Sequence, residues 1–449
     1  MALFVFLLGF LSAFCWWQIR FLGDVRQHLG AFYGYFTGAF LLHLATLWLV
    51  RRTERESSFT NSRWPILLLI GVWAIAFRAM LVTTTPTLSD DSYRYVWDGR
   101  VQLAGIDPYA FAPDDPRLAV LRDADFPHIN FPHLRTIYPP LTQRAFLLGA
   151  RIAPTLTAQK VVFLGAEAVT ILCLILLLRL RQASPLWVAA YAWHPLVILE
   201  IAGSGHNDSV GIACLWAGIL AWQLRRRGLA AVGWGLTFLS KYAAVVLVPW
   251  WWCRGQGRRW LLLFAAVAAT PIVCCPTIVS ALFGSLSAMA SRFESNSSIY
   301  VVLASLLHHA GAARVVVVGG WIMGVLWWAQ RQEDVIRFAA GAFASAAILS
   351  PVLHPWYVVW LVPFLCVWRP PALMALTATV VLAYSVWPGY LAGGPWTVPL
   401  WVRLAEYLPV YLLAVFQLGN WLSVRGIERR VPMTGRGAEI ADRELRIAD

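Results

Sequence analysis

PILLLIGVWAIAFRAMLVTTTPTLSDDSYRYVWDGRV, residues 65–101, changes character within a few positions. Its first half is an apolar run of the length that crosses a bilayer, about 20 residues. Two adjacent carboxylates and Arg94 follow at the point where that span would leave the membrane. The rest of the chain repeats the first half of this pattern. Over 449 residues, 59% are hydrophobic, 13% are charged and 25 are tryptophan, a composition that excludes an ordinary soluble domain, which carries about 25% charged residues.

The formal net charge is +13, yet only two of the 36 basic residues, Lys160 and Lys241, are lysines. Most arginines lie in short breaks between apolar runs, which reads as membrane topology and excludes nucleic acid as the partner. The seven cysteines lie in or beside apolar segments without metal-ligand spacing and read as small buried hydrophobes. MALFVFLLGFLSAFCWW, residues 1–17, lacks a basic start and a cleavage site and reads as a first span.

Arginine-rich breaks assign the sides. RRTERE with Arg63, RLRQ, RRR, CRGQGRR, RQEDVIR, WRPP and the tail from Arg425 all fall on the cytoplasmic side under one topology. Residues 228–252 then enter and leave on the same side, as a hairpin of two half-length helices turning near Ser240 and Lys241, or else one long helix crosses there. The expected fold is an all-α integral membrane bundle of about 12–14 transmembrane helices. Its expected segments are a three-span start (1–82), an outer catalytic loop with interfacial helices (83–157), a transmembrane bundle (158–424) and a flexible cytoplasmic tail (425–449). The outer loops then hold SDDSYRYVWDGRV, GSGHND, SRFESNSS and SPVLHPWY.

If residues 91–101 are helical, Asp91, Tyr95 and Asp98 share one face, with Arg94 beside them. The plainer alternative is that Asp90 and Asp91 only cap that helix. Downstream, GIDPYAF and IYPPLTQ place prolines beside aromatics and force an extended path over the outer surface.

The ordered set SDDSYRYVWDGRVQLAGIDPYAF, TIYPPLTQ, GHNDS, LSKYAAVVLVPWW and SPVLHPWYVVWLVPF resembles the bacterial polyprenyl-phosphate-mannose-dependent mannosyltransferases of the GT-C superfamily, the glycosyltransferase 87 type included. The resemblance runs from the third span to the eleventh. It implies a GT-C-like bundle and an inverting transfer of a hexose, mannose first, from a polyprenyl-phosphate carrier. It also implies a site on the periplasmic or extracellular face of the plasma or inner membrane, with an acidic residue in the first large outer loop. That residue would be Asp90 or Asp91.

The chemistry is consistent with this. A departing phosphate monoester needs cations, not an acid, while the attacking acceptor hydroxyl needs one base. Asp91 is the first choice for the base and Asp90 the second. Arg94, Arg100, Lys241 and His206 are the candidate phosphate partners. Lys241 stands alone among ionisable groups between Arg227 and Arg254, and is either functional or snorkelling to an interface. In GSGHND, Asn207 or Asp208 caps the next helix or binds sugar, and Glu200 is placed to orient His206 or Arg94. His354 is the candidate for a sugar hydroxyl, with Trp356 and Tyr357 either belonging to the interfacial aromatic belt or stacking on the sugar. Tyr95, Asp98, Asn207 and Asp208 complete the expected sugar or acceptor contacts, the acceptor being a glycolipid or glycan. No metal spacing is evident, and a monophosphate donor requires no cofactor, although a divalent metal is compatible with Asp90, Asp91, His206, Asp208 and His354 converging. The competing function is a multi-span transporter or flippase of lipid-linked sugars, which needs charges near mid-span and a path open to both sides; Lys241, Arg78 and Glu167 are the few candidates.

Overall fold

The computed structural model describes residues 1–56, 64–255 and 257–430. In chain order its helices are α1 (Ala2–Phe21), α2 (Leu29–Glu56), α3 (Trp64–Leu81), α4 (Asp91–Leu103), α5 (Pro140–Ile152), α6 (Leu156–Leu180), α7 (Pro185–Ala192), α8 (Pro195–Gly203), α9 (Asp208–Gln223), α10 (Arg227–Lys241), α11 (Leu247–Arg254), α12 (Arg259–Cys274), α13 (Pro276–Arg292), α14 (Ile299–Leu307), α15 (Ala310–Arg331), α16 (Val335–Leu349), α17 (Pro355–Cys366), α18 (Pro371–Leu391) and α19 (Leu400–Arg430). The one β contact among the described residues is a bridge between Ser295 and Val352. The protein is an all-α, multi-pass membrane protein.

Among the described residues seven helices, α1, α2, α3, α6, α15, α18 and α19, are long and apolar enough to cross a membrane, or up to nine if the bent pairs α7–α8 and α12–α13 each count as one span. The expected 12–14 spans are corrected accordingly. Helices α9, α10 and α16 have 16, 15 and 15 residues, fewer than the about 20 of a typical span, although α9 and α10 run between the two ends of the bundle. Hydropathy alone cannot separate such segments from spans. A short apolar helix is tolerated at membrane depth where protein covers its ends. Helix α19 continues to Arg430; residues 431–449 and Arg63 lie outside the described residues.

The two faces expected from the arginines are visible as two sets of contacts. At one end Trp187 Nε1 donates to Glu54 at 2.9 Å, Arg181 pairs with Asp334 at 2.8 Å, and Arg254 donates to the carbonyls of Ala329 and Gln332. These residues come from the basic breaks. At the other end Val25 N–H donates to Thr87, Thr277 to Asp107, Thr142 to the Ser240 carbonyl, and Trp387 to the Leu88 carbonyl. The long polar loops gather here.

Residues 227–254 form the hairpin. Helix α10 ends at Lys241, Tyr242 takes a left-handed backbone (φ +57°), and the chain returns through α11. The Trp222 ring contacts Arg227 at 3.5 Å and Trp250 at 5.2 Å, so entry and exit share one face, while Lys241 reaches Asp208 at the opposite end of α9. Close approach of α9 and α10 depends on Gly218 and Gly233. A Cβ on Gly218 would sit 2.5 Å from the Trp234 ring, and one on Gly233 would sit 2.9 Å from the Gly218 Cα.

Arg78 and Glu167 lie inside the bundle, 7% and 1% exposed, and bind each other through two hydrogen bonds, one of 2.8 Å. Between α7 and α8, bent by 52°, the Leu196 N–H bonds to His194 Nδ1 and so leaves the Ala192 carbonyl without its helical partner. Arg78 Nη1 donates to that carbonyl at 2.8 Å. The pair therefore repairs a break in the helix and offers no unpaired charge for transport. Arg78→Met should leave Glu167 buried alone and lower stability by about 3–5 kcal/mol, whereas the Arg78→Met/Glu167→Met double variant should recover more than half of that loss. Thermal unfolding in detergent checks this; equal losses in the two variants would refute the pairing.

Candidate active site

A nine-residue strap, 82–90, joins α3 to α4 on the loop-rich face. Helix α4 begins at Asp91, whose N–H donates to Ser89 Oγ at 3.3 Å. Asp90 occupies the N-cap position, but its side chain caps nothing. Capping therefore does not account for the carboxylate pair.

The two carboxylates diverge. Asp90 faces Arg26, His128 and Asp24 on the rim. Asp91 faces inward toward Lys241 and Asp208, with Asn130 beside it. Burial pushes its pKa up to about 6; Lys241 and Asn130 pull it down, and Asp208 and Asp90 push it further up.

Opposite Asp91 lies the tip of the hairpin. Lys241 Nζ is 2.7 Å from Asp208 Oδ1 and 5.5 Å from the centre of the Tyr357 ring, and its side chain stays 26% exposed. Asp208 is wholly buried as the first residue of α9, and Trp360 Nε1 donates to the same oxygen at 2.6 Å. Thr142 of α5 fixes the tip by donating to the Ser240 carbonyl at 2.9 Å. Tyr357 is 40% exposed and His354 is partly exposed, so both remain available to a ligand.

Other expected contacts have different duties. Arg94 binds Asp98 at 2.8 Å and the Leu134 carbonyl at 3.1 Å, and Gln143 donates to the second Asp98 oxygen at 2.7 Å. This network holds α4 to α5 and the outer loop. Arg100 is engaged with Asp123 and the Leu121 carbonyl, which anchors the same loop. Neither arginine is free to clamp a phosphate, so both assignments are corrected, as is that of Asp98. Tyr95 is 1% exposed and stacked on Phe146 at 4.7 Å, a core residue with no face for sugar.

His206 and His354 sandwich Trp356, with ring centres 4.2 and 4.3 Å away. Both faces of the indole are covered, which removes Trp356 as a sugar platform. Burial and the nearby Lys241 and His354 push the His206 pKa well below its ordinary value, so the imidazole is neutral and no phosphate cation. Burial likewise lowers His354 to about 4. Glu200 lies 3.5 Å from His206 and accepts from Tyr384 at 2.7 Å. Asn207 is wholly buried. Among the described residues no three His, Cys, Asp or Glu side chains gather as a metal set.

Three participants escaped the sequence reading. Trp360 and Asn130 carried no local signal, since one sits in an apolar helix and the other in an irregular loop. Lys160 did carry one: it is the only other lysine, and the argument applied to Lys241 applies to it equally.

Lys241→Met should raise the Asp91 pKa above about 6, because its nearest cation is lost. Adding Asp208→Asn removes an opposing anion and should bring the value back down. Difference infrared titration of the Asp91 carboxyl, with Asp91→Asn as reference, reads both shifts; no change in the single variant would show that the two groups do not interact.

Residues 12–254 match the family described as alpha-(1->6)-mannopyranosyltransferase, N-terminal domain. The chain is also similar to "Alpha-(1->6)-mannopyranosyltransferase A" of Mycobacterium tuberculosis, 24% identical over 372 residues, covering 72% of this chain and 68% of that protein. The protein of the same name from Corynebacterium glutamicum is 23% identical over 350 residues, covering 65% of this chain and 69% of its own length.

Proposed function

Because this chain belongs to the alpha-(1->6)-mannopyranosyltransferase family, we propose that its loop-rich face transfers mannose from a polyprenyl-phosphate carrier to a glycan hydroxyl, with Asp91 as the base. The chain is a membrane mannosyltransferase that takes a sugar donor and a glycan acceptor. The carrier, the outer-face site and the residue roles are the proposed part. One observation supports them above the others: a carboxylate with a raised pKa and a partly exposed ammonium act on each other where α4 begins and α10 ends.

In the proposed step the acceptor oxygen attacks the anomeric carbon and its proton passes to Asp91. The anomeric C–O bond to phosphate breaks, its electron pair stays on the phosphate oxygen, and polyprenyl phosphate departs on the opposite side, giving inversion. Lys241 meets the growing negative charge. Tyr357 and His354 are placed to hold sugar hydroxyls. The relatives' names specify an α-(1→6) linkage, so the acceptor group is proposed to be the primary 6-hydroxyl of a mannose residue. The site lies at the ends of the spans, where a lipid-borne phosphate sits at headgroup depth. The transporter alternative is not favoured, because the mid-span Arg78 and Glu167 are bound to each other.

In a purified assay with polyprenyl-phosphate mannose and an α-mannoside acceptor, Asp91→Asn should reduce transfer by about 100-fold or more, while Asp90→Asn stays close to wild type. Transfer by the wild type should fall by about tenfold per pH unit below about 6, since a protonated Asp91 cannot accept the proton. Near-normal transfer by Asp91→Asn would end this assignment. For sidedness, a cysteine replacing Val120, which is 87% exposed, should react with an impermeant maleimide added outside intact cells. Labelling only after the cytoplasmic face is opened would place the site on the other side.

A further inference from the structure

Lys160, in the first turns of α6, is wholly buried, and no carboxylate among the described residues lies close enough to pair with it. An ionisable group at this depth without a counter-charge is costly and marks a functional position by default. Its Nζ donates to the Thr84 carbonyl at 2.6 Å. Its stem runs beneath Gly205, where an added Cβ would lie 3.1 Å from Lys160 Cγ and 3.3 Å from Cε. Gly205 also takes a left-handed backbone (φ +73°), so the turn above the lysine tolerates neither a side chain nor another path.

Both partners of Lys160 belong to segments that deliver site carboxylates. Thr84 lies in the strap that ends at Asp91, and Gly205 lies in the turn that ends at Asp208. We propose that Lys160 is a positioning residue, a pin that sets the strap carrying Asp91 at a fixed separation from the turn carrying Asp208 and its partner Lys241. The part that bears on catalysis rests on the reading of Asp91 as the base. The strap is irregular, so its buried carbonyls need donors from elsewhere. Only a long, slender side chain ending in a donor can pass under Gly205 and reach one; methionine fills the volume and lacks the donor, and the branched guanidinium of arginine needs more room than the turn leaves.

The consequence is electrostatic. Asp91 is surrounded by Lys241, Asp208, Asp90 and Asn130, and by the phenols of Tyr95, Tyr138 and Tyr357. Lys241 is the one cation in that set. A strap released from its pin lets Asp91 drift from Lys241, which weakens the pull on its proton and misplaces the base.

The test compares Lys160→Met with Gly205→Ala, which keeps the lysine but pushes on its stem, each as the full-length protein in detergent or nanodiscs. The Asp91 carboxyl is titrated by difference infrared against Asp91→Asn, and transfer is measured per folded molecule. A pin predicts that the Asp91 pKa rises above about 6 in either folded variant, with kcat/KM lower by about 10- to 100-fold, the scale of a misplaced group. A lysine that only fills space would lower folded yield and leave the Asp91 titration unmoved. No rise in either variant overturns the proposal. Active Asp91→Asn would instead sink the base assignment alone, because the titration reads the pin without reference to turnover.

Discussion

The ion pair between Lys241 and Asp208 is the contact on which the loop-rich face is assembled. Asp208 is taken wholly out of solvent, and a carboxylate in that position requires a cation and further donors. Lys241 from the hairpin and Trp360 from α17 supply them on a single oxygen. Three segments far apart in sequence are thereby brought to one point. The hairpin can reach that point only because α9 and α10 pack through Gly218 and Gly233, and because four tryptophans, Trp222, Trp234, Trp250 and Trp251, close around its base.

Around this centre the other ionisable groups are arranged to support, not to react. Arg94 with Asp98 and Gln143, Arg100 with Asp123, and Arg78 with Glu167 each fix one element to another. Such pairs contribute little net stability once desolvation is counted, yet each is strongly destabilising when half-removed, which makes them effective at specifying one arrangement. Lys241 differs in being paired and still partly exposed. It is held in place by Asp208 and left partly exposed, which is the condition for meeting a developing negative charge without reorganisation.

The readings that succeeded from sequence share a physical basis. Arginine placement predicts which breaks share a side, and Trp187, Arg181 and Arg254 do meet their partners on one face. The hairpin follows from the same parity argument. The readings that failed are equally instructive. Span counting gave about 12–14 because an apolar helix covered by protein has the same composition as one covered by lipid. Trp356 and His206 carried the right chemistry for sugar or phosphate, but their faces are used on each other. A side chain's type states what it can bind, while its neighbours decide whether anything is left to bind with.

By itself the sequence determined an all-α membrane protein, its two faces, the short helix opening at Asp91 and the gathering of polar motifs at one end. These are legible because hydropathy, arginine bias and helical spacing act locally, over about 20 residues or fewer. Only the tertiary structure separated the surroundings of Asp90 from those of Asp91, and those of Lys241, Arg94, Arg100 and His206 from one another. Those four basic side chains separate by which partner each meets, near or far along the chain: Asp208 for Lys241, Asp98 for Arg94, Asp123 for Arg100, and an indole face for His206. Asp90 and Asp91 are adjacent in the chain, yet Asp90 is the non-helical N-cap and Asp91 the first helical residue, so one meets Arg26 and His128 and the other Lys241 and Asp208.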